Sequence, residues 1–117
     1  MLSGGGIDML KFTDQYGDTM DAYLIRGKYY NGSLSVEMVA KYDGVWEPWA
    51  TLTVNLGVGG EGHAFIDTNN CPWAPAFLEE NGLAVPMGVG GQSGYCTYPL
   101  YAFTEKFFDT SEEYGEE

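Results

Sequence analysis

The side chains able to do chemistry are few and thinly spaced. His63 is the only histidine, with Asp67 and Cys71 following it within nine residues and Cys96 farther on. A Cys–His pair is the minimum for a thiol nucleophile, the imidazole taking the thiol proton. No nucleophile signature surrounds either cysteine, and Cys71 falls at an expected helix start, where caps and small buried residues are common. A helix N-terminus lowers a thiol pKa, so a small thiol-dependent enzyme remains an alternative reading. One histidine and two cysteines without paired spacing fall short of the four ligands of structural zinc. Asp67-Thr68-Asn69-Asn70 opens like a calcium loop but lacks the ordered later ligands and a closing Glu at the right offset; turn and cap chemistry accounts for it. The Gly-rich stretches 57–62 and 88–94 contain no Gly-Lys-Ser/Thr, and neither runs directly from a strand into a helix. They therefore present no helix N-terminus to a phosphate. No cofactor and no metal are expected, and the chain is read as a binding protein, not an enzyme.

The charge is the unusual feature. Seventeen acids stand against five Lys and Arg, for a net −12. Nucleic acid is a poor direct ligand for such a chain, because binding it needs a basic footprint. An anionic membrane surface is excluded for the same reason, and no apolar run nears the ~20 residues that span a bilayer. A basic protein surface is the natural partner. Residues 105–117 hold six acids and one lysine, for −5, which leaves −7 on the rest of the chain. The folded body is thus expected to be acidic in its own right.

Aromatics supply the second half of a binding surface. With 3 Trp, 9 Tyr and 6 Phe, one small core cannot hold them all, and Tyr and Trp are favoured interface anchors. The residues expected to meet a partner are Glu37, Asp43, Glu47 and Glu61, which flank the hairpin turns and the first Gly-rich loop, with Trp46 or Trp49 as an apolar anchor.

The elements that would position these groups follow from pattern. The length of 117 residues fits one domain. Residues 1–8 read as a flexible segment, 9–108 as a single α+β domain and 109–117 as an acidic tail. Strands are expected over 9–13 and 19–30. Asn31-Gly32 marks a hairpin of type I′. Residues 34–42 alternate, with Leu34, Val36, Met38, Ala40 and Tyr42 on one face and Val39 as the exception. Asp43-Gly44 turns the chain into a strand over 46–56, in which Ala50, Leu52, Val54 and Leu56 face inward and Pro48 marks a start, an edge or a bulge. A short strand over 63–67 precedes the main helix, 72–81, with Asn69 or Asn70 as cap, Pro72 in the first turn and Gly82 after the end. Trp73, Ala76 and Phe77 form its buried stripe. Residues 85–94 read as a loop and 95–103 as the last strand, with Pro99 suggesting an edge. The sum is an antiparallel sheet of about five to six strands with one main helix packed on one face. Residues 1–6 show neither a basic n-region nor an apolar h-region, so no export signal is read there. The two cysteines are accordingly expected reduced, in the cytoplasm.

Several stretches carry a resemblance. Leu52-Thr53-Val54-Asn55-Leu56, the run from Phe65 to Ala74, Glu80-Asn81-Gly82-Leu83 and the run from Gly91 to Tyr101 resemble a bacterial family known only as a domain of unknown function, over about residues 9–108. Its members resemble accessory proteins of conjugative elements, plasmids and phages of gut bacteria. The resemblance implies a mobile-element setting and no catalytic motif. In that setting the charge suggests an inhibitor of host defence, anti-CRISPR or antirestriction in kind, that occupies a nucleic-acid-binding cleft as a DNA mimic. The expected partner is a basic nucleic-acid-handling host protein, and the chain itself is expected to be a monomer or weak homodimer. The alternative is an accessory protein of element maintenance or transfer with no inhibitory activity.

Overall fold

The computed structural model describes residues 9–14, 16–57 and 62–113. The flexible segment expected over 1–8, most of the first Gly-rich loop with Glu61, and the end of the acidic tail lie outside the described residues.

The first half of the chain builds a meander. β1 (Leu10–Thr13), β2 (Thr19–Lys28), β3 (Leu34–Tyr42) and β4 (Val45–Thr51) pair antiparallel in that order. The alternation in β3 holds: Val36, Met38 and Ala40 are fully buried while Glu37 and Lys41 are exposed. Val39 is buried as well, on the opposite face, where it pairs with Tyr23 of β2 and Pro48 of β4; the register shifts between Met38 and Val39, and the extra residue on β4 is taken up there. Pro48 sits beside that irregularity on an edge strand, where a missing N–H costs no ladder bond. Asp43 and Gly44 both take positive φ, 52° and 79°, as a two-residue type I′ hairpin requires. The Asn31-Gly32 turn differs from the expected one. Only Gly32 has positive φ, Gly32 N donates to Tyr29 O, and Tyr29 N donates to Ser33 O. This is a three-residue loop, a type I turn closed by a left-handed glycine. Asn31 instead uses its Oδ1 to accept from Ser33 N and Oγ.

The strand expected over 46–56 divides between two sheets. Leu52, fully buried, donates its N–H to Val36 O and accepts from Asp67 N, both at 2.8 Å. Its peptide thereby joins β3 to the second layer. Thr53, expected to face out, is buried, with Oγ1 accepting from Val36 N. The second sheet runs β5 (Thr53–Val54), β6 (His63–Ile66), β8 (Cys96–Phe103) and β7 (Ala84–Ser93). The single sheet of five to six strands is therefore corrected to two sheets, of five and four strands.

β7 replaces the expected loop over 85–94. Two of its glycines are packing requirements: a Cβ on Gly90 would lie 2.8 Å from Tyr98 O, and one on Gly91 2.8 Å from Phe65 Cε1. Only a bare backbone lets β7 approach β8 this closely. β8 is an inner strand, not an edge, yet Pro99 lies one residue past Leu100, the last position paired with β6.

Two short helices complete the core. α1 (Ala74–Glu80) starts two residues later than expected, with Trp73 as N-cap and Pro75 in the first turn. Its stripe is Ala74, Phe77 and Leu78, one residue out of phase with the expected Trp73, Ala76, Phe77; Ala76 is exposed. α2 (Glu105–Thr110) is capped by Thr104 Oγ1, which accepts from Phe107 N. Phe107 is fully buried. β9 (Glu112–Glu113) pairs parallel with Ile25 and Arg26 of β2, on the edge that β1 leaves beyond Ala22. The tail expected from Asp109 onward is thus part of the fold through Glu113. Both sheets and both helices share one apolar cluster, so the described residues form one core.

Candidate partner-binding surface and aromatic pocket

The strand register decides where the expected contact residues point. Glu37 pairs with Ile25 and Thr51, and Trp46 with Lys41, so both sit on the outer face of the first sheet. Trp46 stacks edge-on with Tyr23 at 5.2 Å, and Lys41 Nζ lies 5.8 Å from its ring centre. Glu47 pairs with Ala40, on the opposite face, and is exposed at the sheet edge. Asp43 occupies the hairpin turn between them. Trp49 turns inward, with its ring 6.2 Å from Phe12 and 6.1 Å from Tyr42. The expected set is therefore spread over two faces and one turn, and Glu61 lies outside the described residues.

The charge is carried by the ordered frame. Four of the 17 acids, Asp8, Glu61, Glu116 and Glu117, lie outside the described residues, which leaves 13. Of those, Asp21 pairs with Lys11 and Glu113 with Arg26. The Lys11 ammonium, by hydrogen bond and charge, holds the Asp21 carboxyl below the usual range. Asp67 is buried, and its carboxylate accepts from Asn70 N and Nδ2, the turn chemistry expected of that segment. The remaining ten are exposed or half-buried and make no ion pair among the described residues. The basic side chains are largely engaged within the fold. Arg26 Nη1 donates to Ser111 O and Oγ, and Lys106 Nζ donates to Asn81 O.

Cys71, the candidate thiol at the helix start, sits in a setting that disfavours the thiolate. Cys71 is buried, and its Sγ donates to Thr51 O at 3.5 Å. Burial, with a smaller push from the Asp67 charge, raises its thiol to about 11, so thiolate is scarce at neutral pH. His63 heads β6 opposite Ala102 and does not line the cavity reached by Cys71.

That cavity, about 370 Å³, is the feature sequence reasoning missed. It opens between the β1–β2 turn, the end of the β3–β4 hairpin and the segment before α1. Its walls are the rings of Phe12, Tyr16, Tyr42, Trp49 and Trp73. Phe12 and Trp73 pack at 4.6 Å. Asp14 and Asp18 stand on one side, and Asn70 and Cys71 on another. Asp14 Oδ1 accepts from Tyr16 N and Asp18 N, each at 2.9 Å, which fixes the turn carrying both carboxylates. Of these residues, Trp49 is one of the two expected anchors and Trp73 belongs to the expected helix stripe, whereas Asp14 and Asp18 fall between the expected strands over 9–13 and 19–30.

Among the described residues, no group of three or more His, Cys, Asp and Glu side chains is placed to hold a metal ion, and no helix is long and apolar enough to cross a membrane. No curated protein and no solved structure matches the chain at a significant level. A family model does match, from Leu24 in the middle of β2 to the end of the sequence. The chain belongs to the family described as domain of unknown function (DUF4313), whose model covers residues 24–117.

Proposed function

We propose that the domain is a non-enzymatic, protein-binding inhibitor carried by a mobile element. It acts in the cytoplasm, as a monomer or weak homodimer, on host defence machinery such as a CRISPR or restriction complex. Its partner is a basic, nucleic-acid-handling protein, whose cleft it occupies as an acidic stand-in for DNA or RNA. One observation carries the reading: among the described residues ten carboxylates make no ion pair and stand on strands, turns and helices of the frame, while four of the five basic side chains are engaged with groups of the chain itself. Carboxylates on a rigid frame complement Lys and Arg groups arranged for phosphates, and their summed field speeds the encounter. The raised Cys71 thiol supports a binding role over thiol catalysis.

The test is capture from a host lysate followed by measured binding. Affinity falls as salt rises, because exposed charges are screened over about 10 Å at 0.1 M. Reversing Glu37→Lys and Glu47→Lys together with Asp43→Asn abolishes binding while leaving the fold intact. Asparagine is used at position 43 because it tolerates the positive φ that the turn imposes. Capture of partners without a basic nucleic-acid-binding surface, or affinity indifferent to salt, contradicts the proposal.

A further inference from the structure

We infer that the cavity between Trp49 and Trp73 is a binding site for a guanidinium group, the anchor point for one arginine of the partner protein. The inference rests on the reading above for the partner's identity, but the chemistry of the pocket stands on its own geometry.

Three features of the cavity converge. Its walls are aromatic: Trp49, Trp73, Tyr42 and Phe12 present π-faces or edges to one space, with Tyr16 at the rim, 80% exposed. Ring faces attract cations, tryptophan most strongly, and desolvation strengthens the attraction. Among the described residues its only charged lining groups are carboxylates, Asp14 and Asp18, and none of the five basic side chains lines it. Its volume, about 370 Å³, falls in the ~300–1,000 Å³ range of clefts that hold small ligands. A guanidinium suits this combination better than an ammonium. It is planar, stacks on aromatic rings and offers a fork of N–H donors to carboxylate oxygens. The Asp14 carboxylate accepts from the backbone N–H groups of Tyr16 and Asp18, so it is held in place before a ligand arrives.

Trp46 supplies an internal control, since the chain has three tryptophans and Trp46 lies on the outer face of the sheet, away from the cavity. The probe is a blocked arginine, N-acetyl-arginine amide, titrated at low salt into the full chain while the three indole N–H signals are followed by NMR. Saturable movement of the Trp49 and Trp73 signals is expected, with Trp46 unmoved. The neutral isostere N-acetyl-citrulline amide should bind at least about tenfold more weakly, as loss of the cation–π and ionic contacts requires. The double variant Asp14→Asn, Asp18→Asn should weaken arginine to a similar degree. The amide introduced by Asp14→Asn keeps an oxygen that can accept from the backbone N–H groups of residues 16 and 18, so the turn survives. Equal binding of citrulline, equal movement of Trp46, or no saturable shift overturns the site. Failure of the decoy reading is separate: it appears as a captured partner that keeps its nucleic acid, whatever the free arginine does.

Discussion

Replacing Phe107 with alanine tests whether the C-terminal segment is structural. The ring is fully buried, with its centre 4.6 Å from that of Phe103 and 5.0 Å from that of Phe108. Truncating such a side chain costs about 3–5 kcal/mol. Its two ring contacts lie within that figure, at ~0.5–1.5 kcal/mol each. A domain of this size holds only about 5–15 kcal/mol in total, so Phe107→Ala should remain folded at 25 °C but with little margin. The midpoint should fall by roughly 10–20 °C, taking about 4 °C per kcal/mol at this length. Urea unfolding followed by tryptophan fluorescence measures the loss, with the slope unchanged if only stability has moved. Phe108→Ala, at a half-buried ring, should lose less. A loss below about 0.5 kcal/mol for Phe107→Ala, the size expected of a surface change, would refute the packing of α2 into the core.

Other expectations follow from single contacts. Truncation after Phe108 keeps Phe107 but removes β9 and the Ser111 oxygens that accept from Arg26. Stability should drop by about 1.5–3 kcal/mol, the range for bonds to a charged group, while most partner binding stays; an unchanged urea midpoint would contradict the β9 pairing. A thiol reagent at pH 7 should label half-buried Cys96 in the native protein and buried Cys71 only on unfolding; rapid native labelling of Cys71, or lost binding in a folded Cys71→Ser variant, would reopen thiol chemistry. Tyr101 is pushed up to about 12, mainly by burial and then by its hydrogen bond to Glu79 Oε2 at 2.5 Å. Because the folded value is raised, its contribution is complete below the unfolded value of about 10 and is lost as pH climbs toward 12. Wild type should therefore lose stability between pH 10 and 12 more steeply than Tyr101→Phe in parallel urea titrations; identical slopes would contradict the buried phenol.

The meander was legible because its signals are local. Alternation in β3 and the Asp43-Gly44 turn each state their geometry within a few residues. Three other features depend on packing that spacing does not reveal. β7 looks like a loop because glycine carries no strand propensity, yet Gly90 and Gly91 are required by Tyr98 and Phe65 across the sheet. The α1 stripe was out of phase because Trp73 caps the helix rather than entering it. The split at Leu52 is invisible in an alternating pattern that serves one sheet before the switch and another after it. The pocket escaped notice for a related reason: Asp14, Tyr42, Trp49 and Trp73 come from four separate segments. Among the expected contact residues, side-chain direction was the missing quantity, since register sends Glu37 and Glu47 to opposite faces.

The central claim is that the acidic frame excludes nucleic acid from its partner's cleft. The direct measurement is competition: the captured partner, bound to a fluorescent DNA or RNA, is titrated with the protein at low salt while anisotropy is followed. The account predicts complete release of the nucleic acid at saturation, and no release by the variant carrying Glu37→Lys, Asp43→Asn and Glu47→Lys. A ternary complex that keeps its nucleic acid at saturating protein would contradict it.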